Sequence, residues 1–365
     1  MNRLNQERLS LWQLFVLLVM FEAGSAVVVG IANEAKQDAW IAVLMAGIGG
    51  LFLAWMYHAI LAPNPGLGLY QLFERCFGKI PGIGLSVIYI LYFLYISSRV
   101  LRDFDELISS AVLPNTPTEV VSFLVMLVIG YLLYLGIEVL GRSSEIFFPY
   151  AAFFFWMMVV FLFISGRVKF SNLQPVLENG WGPIFQSIFP SLITFPFGEF
   201  VVLLVLFSSI SNFKTAKWVA FTGIGFGGFI IFVSLILQIC ILGVNSKIRA
   251  SFPLLNVARE ISIANFLERV DAFIVFIIMV GIIVKVSIFF YVGLKGLEHI
   301  FHISYRSFVF PCAMLVSVMS IYIAENYAEH IEEGLRFVPI YLHIPFQIII
   351  PCLLLVTSRI KTKKV

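Results

Sequence analysis

Two long apolar stretches of this chain are interrupted in the same way, by a glutamate within two residues of a glycine. They are Met20-Phe-Glu-Ala-Gly-Ser-Ala26 in the first apolar segment and Phe195-Pro-Phe-Gly-Glu-Phe200 in the sixth. A glutamate in the middle of a membrane span is costly unless it lines a cavity or meets a partner. Glycine and proline at such a place free backbone groups that a ligand can satisfy. Two such breaks at corresponding positions suggest a transporter-type binding site.

A membrane setting follows from composition, because 60% of the 365 residues are hydrophobic and 12% are charged, more apolar surface than a soluble core absorbs. The net charge of +3 argues against a nucleic-acid partner and leaves the basic residues as topology signals. Cys76, Cys240, Cys312 and Cys352 are too scattered for a metal or redox motif and read as packing residues. At the amino end, Arg3 and Arg8 before an apolar run and the small residues Gly24-Ser-Ala26 imitate a signal peptide. The return of apolar character from Val27 to Ile31 makes a length of about 20 residues and favours a retained span.

A span-length window finds apolar segments over residues 11–31, 39–61, 83–110, 119–136 and 145–166, then 184–209, 218–244, 270–294, 307–323 and 337–357. The fold class expected is an all-α polytopic membrane protein of ten transmembrane helices in one domain, residues 1–365. Residues 11–166 form a first five-helix repeat and residues 184–357 a second. Gly24 and Gly198 lie close to half a chain length apart, and an odd number of spans per half turns the halves over, which is an inverted repeat with helices one and six discontinuous. With both termini in the cytoplasm, thirteen Lys and Arg fall inside. Eight fall outside: Lys36, Arg167, Lys169, Lys247, Arg249, Arg259, Arg269 and Arg336. That bias favours cytoplasmic termini. Asn256-Val-Ala-Arg-Glu-Ile-Ser262 reads as a short helix lying along the outer surface.

The residues at the breaks suggest a binding site. Gly24, Ser25 and Ala26 let a ligand approach main chain, and free amides at a half-helix N-terminus suit a carboxylate. The alternative is close helix packing by small residues. Around the second break, Phe195, Phe197, Gly198 and Glu199 surround Pro196, which has no amide hydrogen. Glu199 then pairs with a ligand ammonium, carries a proton, or pairs with a basic neighbour; Glu22 has the same choices or faces a helix seam. The third segment carries Tyr92, Tyr95, Ser98, Arg99, Arg102, Asp103 and Glu106. Its charges either pair at i,i+4, or Tyr95 or Ser98 walls the cavity while Arg99 reaches toward a ligand carboxylate. Lys285 lies too deep in the eighth segment to snorkel, so either it has an ion or coupling role with Glu22, Glu199 or a carbonyl, or it only stabilises packing. Nothing points to an enzyme, a cofactor or a metal. His299 and His302 beside Glu298 lack a third ligand, and Gly223, Gly225, Gly227 and Gly228 lie inside an apolar helix rather than a phosphate loop.

Four further motifs, Lys36-Gln-Asp-Ala-Trp40, Leu113-Pro-Asn-Thr-Pro117, Gly136-Ile-Glu-Val-Leu-Gly-Arg142 and Asn172-Leu-Gln-Pro175, together with the Phe195 to Glu199 break, resemble the B-subunit family of spore germinant receptors. The match covers the first two thirds of the chain; beyond Asn245 it rests on span count and on the lysine of the eighth segment. That family is similar to permeases of the amino acid/polyamine/organocation superfamily, with its five-plus-five inverted repeat. The resemblance implies a nutrient sensor of the spore inner membrane that acts beside an A subunit and a lipoprotein C subunit. In similar folds span three lies against the two broken helices, and in sodium-coupled relatives a cation sits between spans one and eight, where Lys285 would stand in. The alternative is an amino-acid permease working by alternating access, with protons as a candidate coupling ion.

Overall fold

The computed structural model describes residues 8–64, 66–210, 212–261 and 271–362. Arg3, Arg269, Lys363 and Lys364 of the charge tally, and Ser262 of the expected loop helix, lie outside these residues. Among the described residues every regular element is helical apart from an isolated Leu9 to Ile210 bridge. In chain order they are α1 (Leu11–Ala26), α2 (Ala39–Leu61), α3 (Leu69–Phe77), α4 (Lys79–Ala111), α5 (Thr118–Leu135), α6 (Ile137–Ile164) and a broken α7 (Gly182–Ser209). After these come α8 (Phe213–Arg249), α9 (Pro253–Arg259), α10 (Asp271–Phe301), α11 (Tyr305–Tyr322, its first turn 3-10), α12 (Tyr327–Glu332) and α13 (Pro339–Lys361).

Nine of these, α2, α4 to α8, α10, α11 and α13, are long and apolar enough to span a membrane, and α1 is a shorter apolar helix. Sixteen residues of α1 rise only about 24 Å at 1.5 Å each, less than the ~30 Å hydrocarbon thickness. Residues 27–35 complete the crossing as irregular chain. Ten crossings put the first and last described residues on one face; α9, α12 and residues 27–35 lie toward the other.

The core is where α1 packs on α8 and α10, and α10 on α4. At one contact the backbones touch, because a Cβ on Gly24 would stand 2.6 Å from the carbonyl oxygen of Gly281. Short connections keep neighbours antiparallel, as at Gly136, whose φ of 122° joins α5 to α6 in one residue and is open to glycine but not to a side-chain-bearing residue.

Three expectations are corrected. The first segment does not unwind at Gly24: α1 runs through Glu22, Gly24 and Ser25, and its last helical residue is Ala26. The loop helix is not superficial, since α9 buries Pro253, Leu254, Leu255, Val257 and Ala258 against α8 and α10. Cys352 is exposed rather than packed.

Candidate functional site

At the sixth span the sequence breaks the helix where expected. Pro196 contributes no amide hydrogen, and regular winding resumes at Phe197 as a tight 3-10 turn through Val202. Gly198 is needed for closeness rather than for unusual dihedrals: a Cβ there would lie 2.1 Å from Gln347 Oε1 and 2.9 Å from the Ile193 carbonyl oxygen. The Tyr57 hydroxyl holds this turn from α2, 3.1 Å from the Gly198 carbonyl and 2.8 Å from that of Gln347.

Glu199, 1% exposed, is met by Lys285 of α10, with Nζ 2.5 Å from Oε2. The same ammonium donates to the Ser25 hydroxyl at 2.8 Å and lies over the Phe195 ring at 4.6 Å. Thus α1, α7 and α10 meet at one lysine. Buried charges require such partners, and of those available to Lys285 it takes Glu199 and the Ser25 hydroxyl. The helix end at Ala26 presents carbonyls, not amides, because α1 finishes there; the expected amide site for a carboxylate is therefore absent from the first break. The amide end of a helix lies instead at Phe197. Glu22 faces the seam with α8, where Gly227 makes room and a Cβ would meet Oε2 at 2.3 Å; neither carboxyl oxygen has a hydrogen-bond partner among the described residues.

On the face away from the termini, a cleft of about 430 Å³, open solvent included, lies above Glu199, lined also by Arg99, Asp103, Phe195, His330 and His343. Arg99 does not pair with Asp103 along α4. It reaches Glu333 Oε2 at 3.3 Å, donates to the His330 carbonyl and hydrogen-bonds the Tyr95 hydroxyl at 3.2 Å. Asp103 instead accepts from His330 Nε2 at 3.2 Å and from the Tyr327 hydroxyl at 3.4 Å. Burial beside that carboxylate pushes the Tyr327 phenol well above its usual value, so it remains a neutral donor. These contacts latch α12 onto α4 over the cavity. Ser98 bonds the Leu94 carbonyl within its own helix, and Phe197 packs against Gly47 and Gly50; neither lines the cavity.

Several participants carried no assigned role at the level of sequence. His343 and Gln347 on α13 join Tyr92, with Tyr92 Oη 2.8 Å from His343 Nδ1 and Gln347 Nε2 2.9 Å from Tyr92 Oη. Their signal was an i,i+4 polar pair around Pro345 in an apolar stretch. Lys247, counted as an outer-loop charge, is buried and clamps the irregular strand after α1, donating to the Ile31 carbonyl at 2.6 Å and to Asn33 Oδ1 at 2.9 Å. Lys247→Met is expected to speed amide hydrogen exchange across residues 27–35 while leaving α1 protected. Equal exchange in both proteins would remove the clamp from the account. Among the described residues no three His, Cys, Asp or Glu gather as metal ligands would.

Comparison with known proteins agrees with this architecture. The family model described as "Spore germination protein" matches residues 8–328. The chain is 34% identical to spore germination protein KB of Bacillus subtilis (strain 168) over 362 residues, covering 99% of this chain and 97% of that one. It is 23% identical to spore germination protein YndE of the same organism, with 84% of each chain covered. Among solved structures, MhsT in complex with L-phenylalanine superposes with a TM-score of 0.66 at 11% identity, over 98% of this chain and 97% of that one. Mhp1, a nucleobase-cation-symport-1 family transporter in a closed conformation with bromovinylhydantoin bound, gives 0.64 at 14% identity, over 99% and 93%. At such identities these likenesses show the fold, which is the five-plus-five arrangement with discontinuous first and sixth spans. With its family match spanning most of its length and its close full-length relative, the chain belongs to the spore germination protein family, the B-subunit family of germinant receptors, and is a multi-pass membrane protein with the fold of permease-like transporters.

Proposed function

We propose that this chain is the B subunit of a spore nutrient germinant receptor and that it binds an amino acid in the cavity between Arg99 and Glu199. The observation that carries this reading is that one cavity at the helix breaks is lined by a cation on α4 and an anion on α7, the charge pattern of a zwitterion's two ends. Both groups are held by exchangeable partners, Arg99 by Glu333 and Glu199 by Lys285. A ligand carboxylate competes with Glu333 and loosens the α12 latch. A ligand ammonium competes with Lys285 for Glu199 and leaves Lys285 with Ser25 on α1. Binding therefore favours a conformation in which α12 has parted from α4 and α7 from the α1–α10 pair, and only such differential affinity drives a signal. The reading includes A and C subunits as the receivers of that signal, the spore inner membrane as its place, cytoplasmic termini, and repeats over residues 11–166 and 184–357.

In spores whose sole nutrient receptor contains this chain, an amino-acid panel identifies the agonist. Arg99→Gln is then expected to raise the half-maximal dose about 10- to 100-fold at matched protein level, since a hydrogen bond to a charged group contributes about 1.5–3 kcal/mol. An unchanged dose response would remove Arg99 from the site. The broken spans also support a permease reading by alternating access. Robust counterflow of the labelled agonist in proteoliposomes would establish transport and refute a purely sensory role.

A further inference from the structure

A second cavity lies on the other side of α1 from the charged pocket. It is a narrow, partly open groove bounded by α1, α6, α8 and α10, with Leu254 of α9 also in its wall. No lining residue carries a charge. Its inner wall is the stripe Met20, Ala23 and Gly24, one face of α1 at helical spacing, continued by Val27 just past the helix end. Its rim includes Trp156 of α6, 39% exposed, and the half-buried Phe226 and Ile230 of α8. The surface beside that rim is lipid-facing: Phe153 on α6 and Phe229 on α8 are 61% and 47% exposed on helices long and apolar enough to span. The cavity is therefore continuous with the hydrocarbon phase, and water has no polar partners in it to hold it there.

We propose that this cavity is a binding site for one acyl chain of a membrane lipid, inserted between α6 and α8 against α1. The contact of Gly24 with Gly281 forms part of its wall, one turn of α10 before Lys285. An acyl chain seated there buttresses the face of α1 that lies behind Ser25, so lipid occupancy bears on the helix that carries the Ser25 to Lys285 contact. The site stands on the cavity and its lining alone and does not depend on the nutrient reading.

The test uses the full chain in nanodiscs containing phosphatidylglycerol with a photoactivatable diazirine in the middle of one acyl chain, with adducts mapped by mass spectrometry. Adducts are expected to be enriched on Ala152, Phe226 and Ile230 over Leu124 and Val128, exposed lipid-facing residues of α5. Ala151→Trp, which fills the cavity from the α6 wall, should abolish the enrichment while leaving the α5 adducts. Ile230→Trp fills it from α8 and serves if the first variant does not fold. Equal labelling of the two regions in the wild type, or enrichment that survives a folded filling variant, would overturn the site.

Discussion

Lys285→Met is expected to destabilise the protein more than any other single charge removal. It strips Glu199 of its ion-pair partner inside a buried helix junction, and breaking a buried pair from one side costs about 3–5 kcal/mol because the remaining charge stays uncompensated. It also removes the donor to Ser25. Adding Glu199→Gln should restore most of the stability, because a neutral amide needs no counter-charge, yet leave the nutrient response absent. Lys295→Met is the control: its pair with Glu298 is partly exposed and spans one turn, a contact worth about 0–1 kcal/mol. The check is the melting temperature of the purified protein in detergent for the three variants and the wild type. If Lys285→Met melts with the wild type, the junction of α1, α7 and α10 is not held as described.

Gly24→Val is expected to have the second largest effect. The atoms its Cβ would meet, the Gly281 carbonyl oxygen at 2.6 Å and carbon at 2.8 Å, are backbone, and a helix backbone cannot swing aside as a side chain can. Overpacking of a well-filled contact costs about 1–3 kcal/mol and more where nothing can move, so α1 must part from α10 and the folded fraction must fall. Gly198→Ala differs in kind. Its first obstacle is the end of the Gln347 side chain, which can rotate, although the Ile193 carbonyl oxygen at 2.9 Å remains. Loss of response with most of the protein still folded is the outcome expected there. Size-exclusion profiles measured beside germination curves separate the two. Normal profiles and curves for Gly24→Val would contradict the packing described for α1.

The ten spans were legible because length and apolar content are properties of the chain alone. The sixth-span break was legible because Pro196 removes a donor whatever surrounds it. The first break was misplaced by a few residues, because Val27 to Ile31 are apolar whether wound or extended, and hydropathy does not distinguish a buried irregular strand from a helix. The direction of α1 then reversed the electrostatics expected at Gly24 to Ala26, from amides to carbonyls. Lys285 stood out by depth, but its choice of Glu199 and Ser25 depends on how three helices converge. Arg99 was seen beside Asp103 at i,i+4, whereas tertiary contacts with α12 and Glu333 outcompeted that local pair. Lys247 looked like loop charge because nothing local shows that carbonyls of residues far away in sequence would close over it.

The central claim is that the cavity at Arg99 and Glu199 is where the nutrient binds. Its most direct test is equilibrium binding of individual tritiated L-amino acids to the full chain in nanodiscs, for the wild type and for Leu335→Trp, which fills the cavity from its lining without removing a charge. The account predicts saturable binding of at least one amino acid to the wild type and its loss in a Leu335→Trp protein of unchanged melting temperature. Equal binding by the two proteins, or none by the wild type, would contradict it.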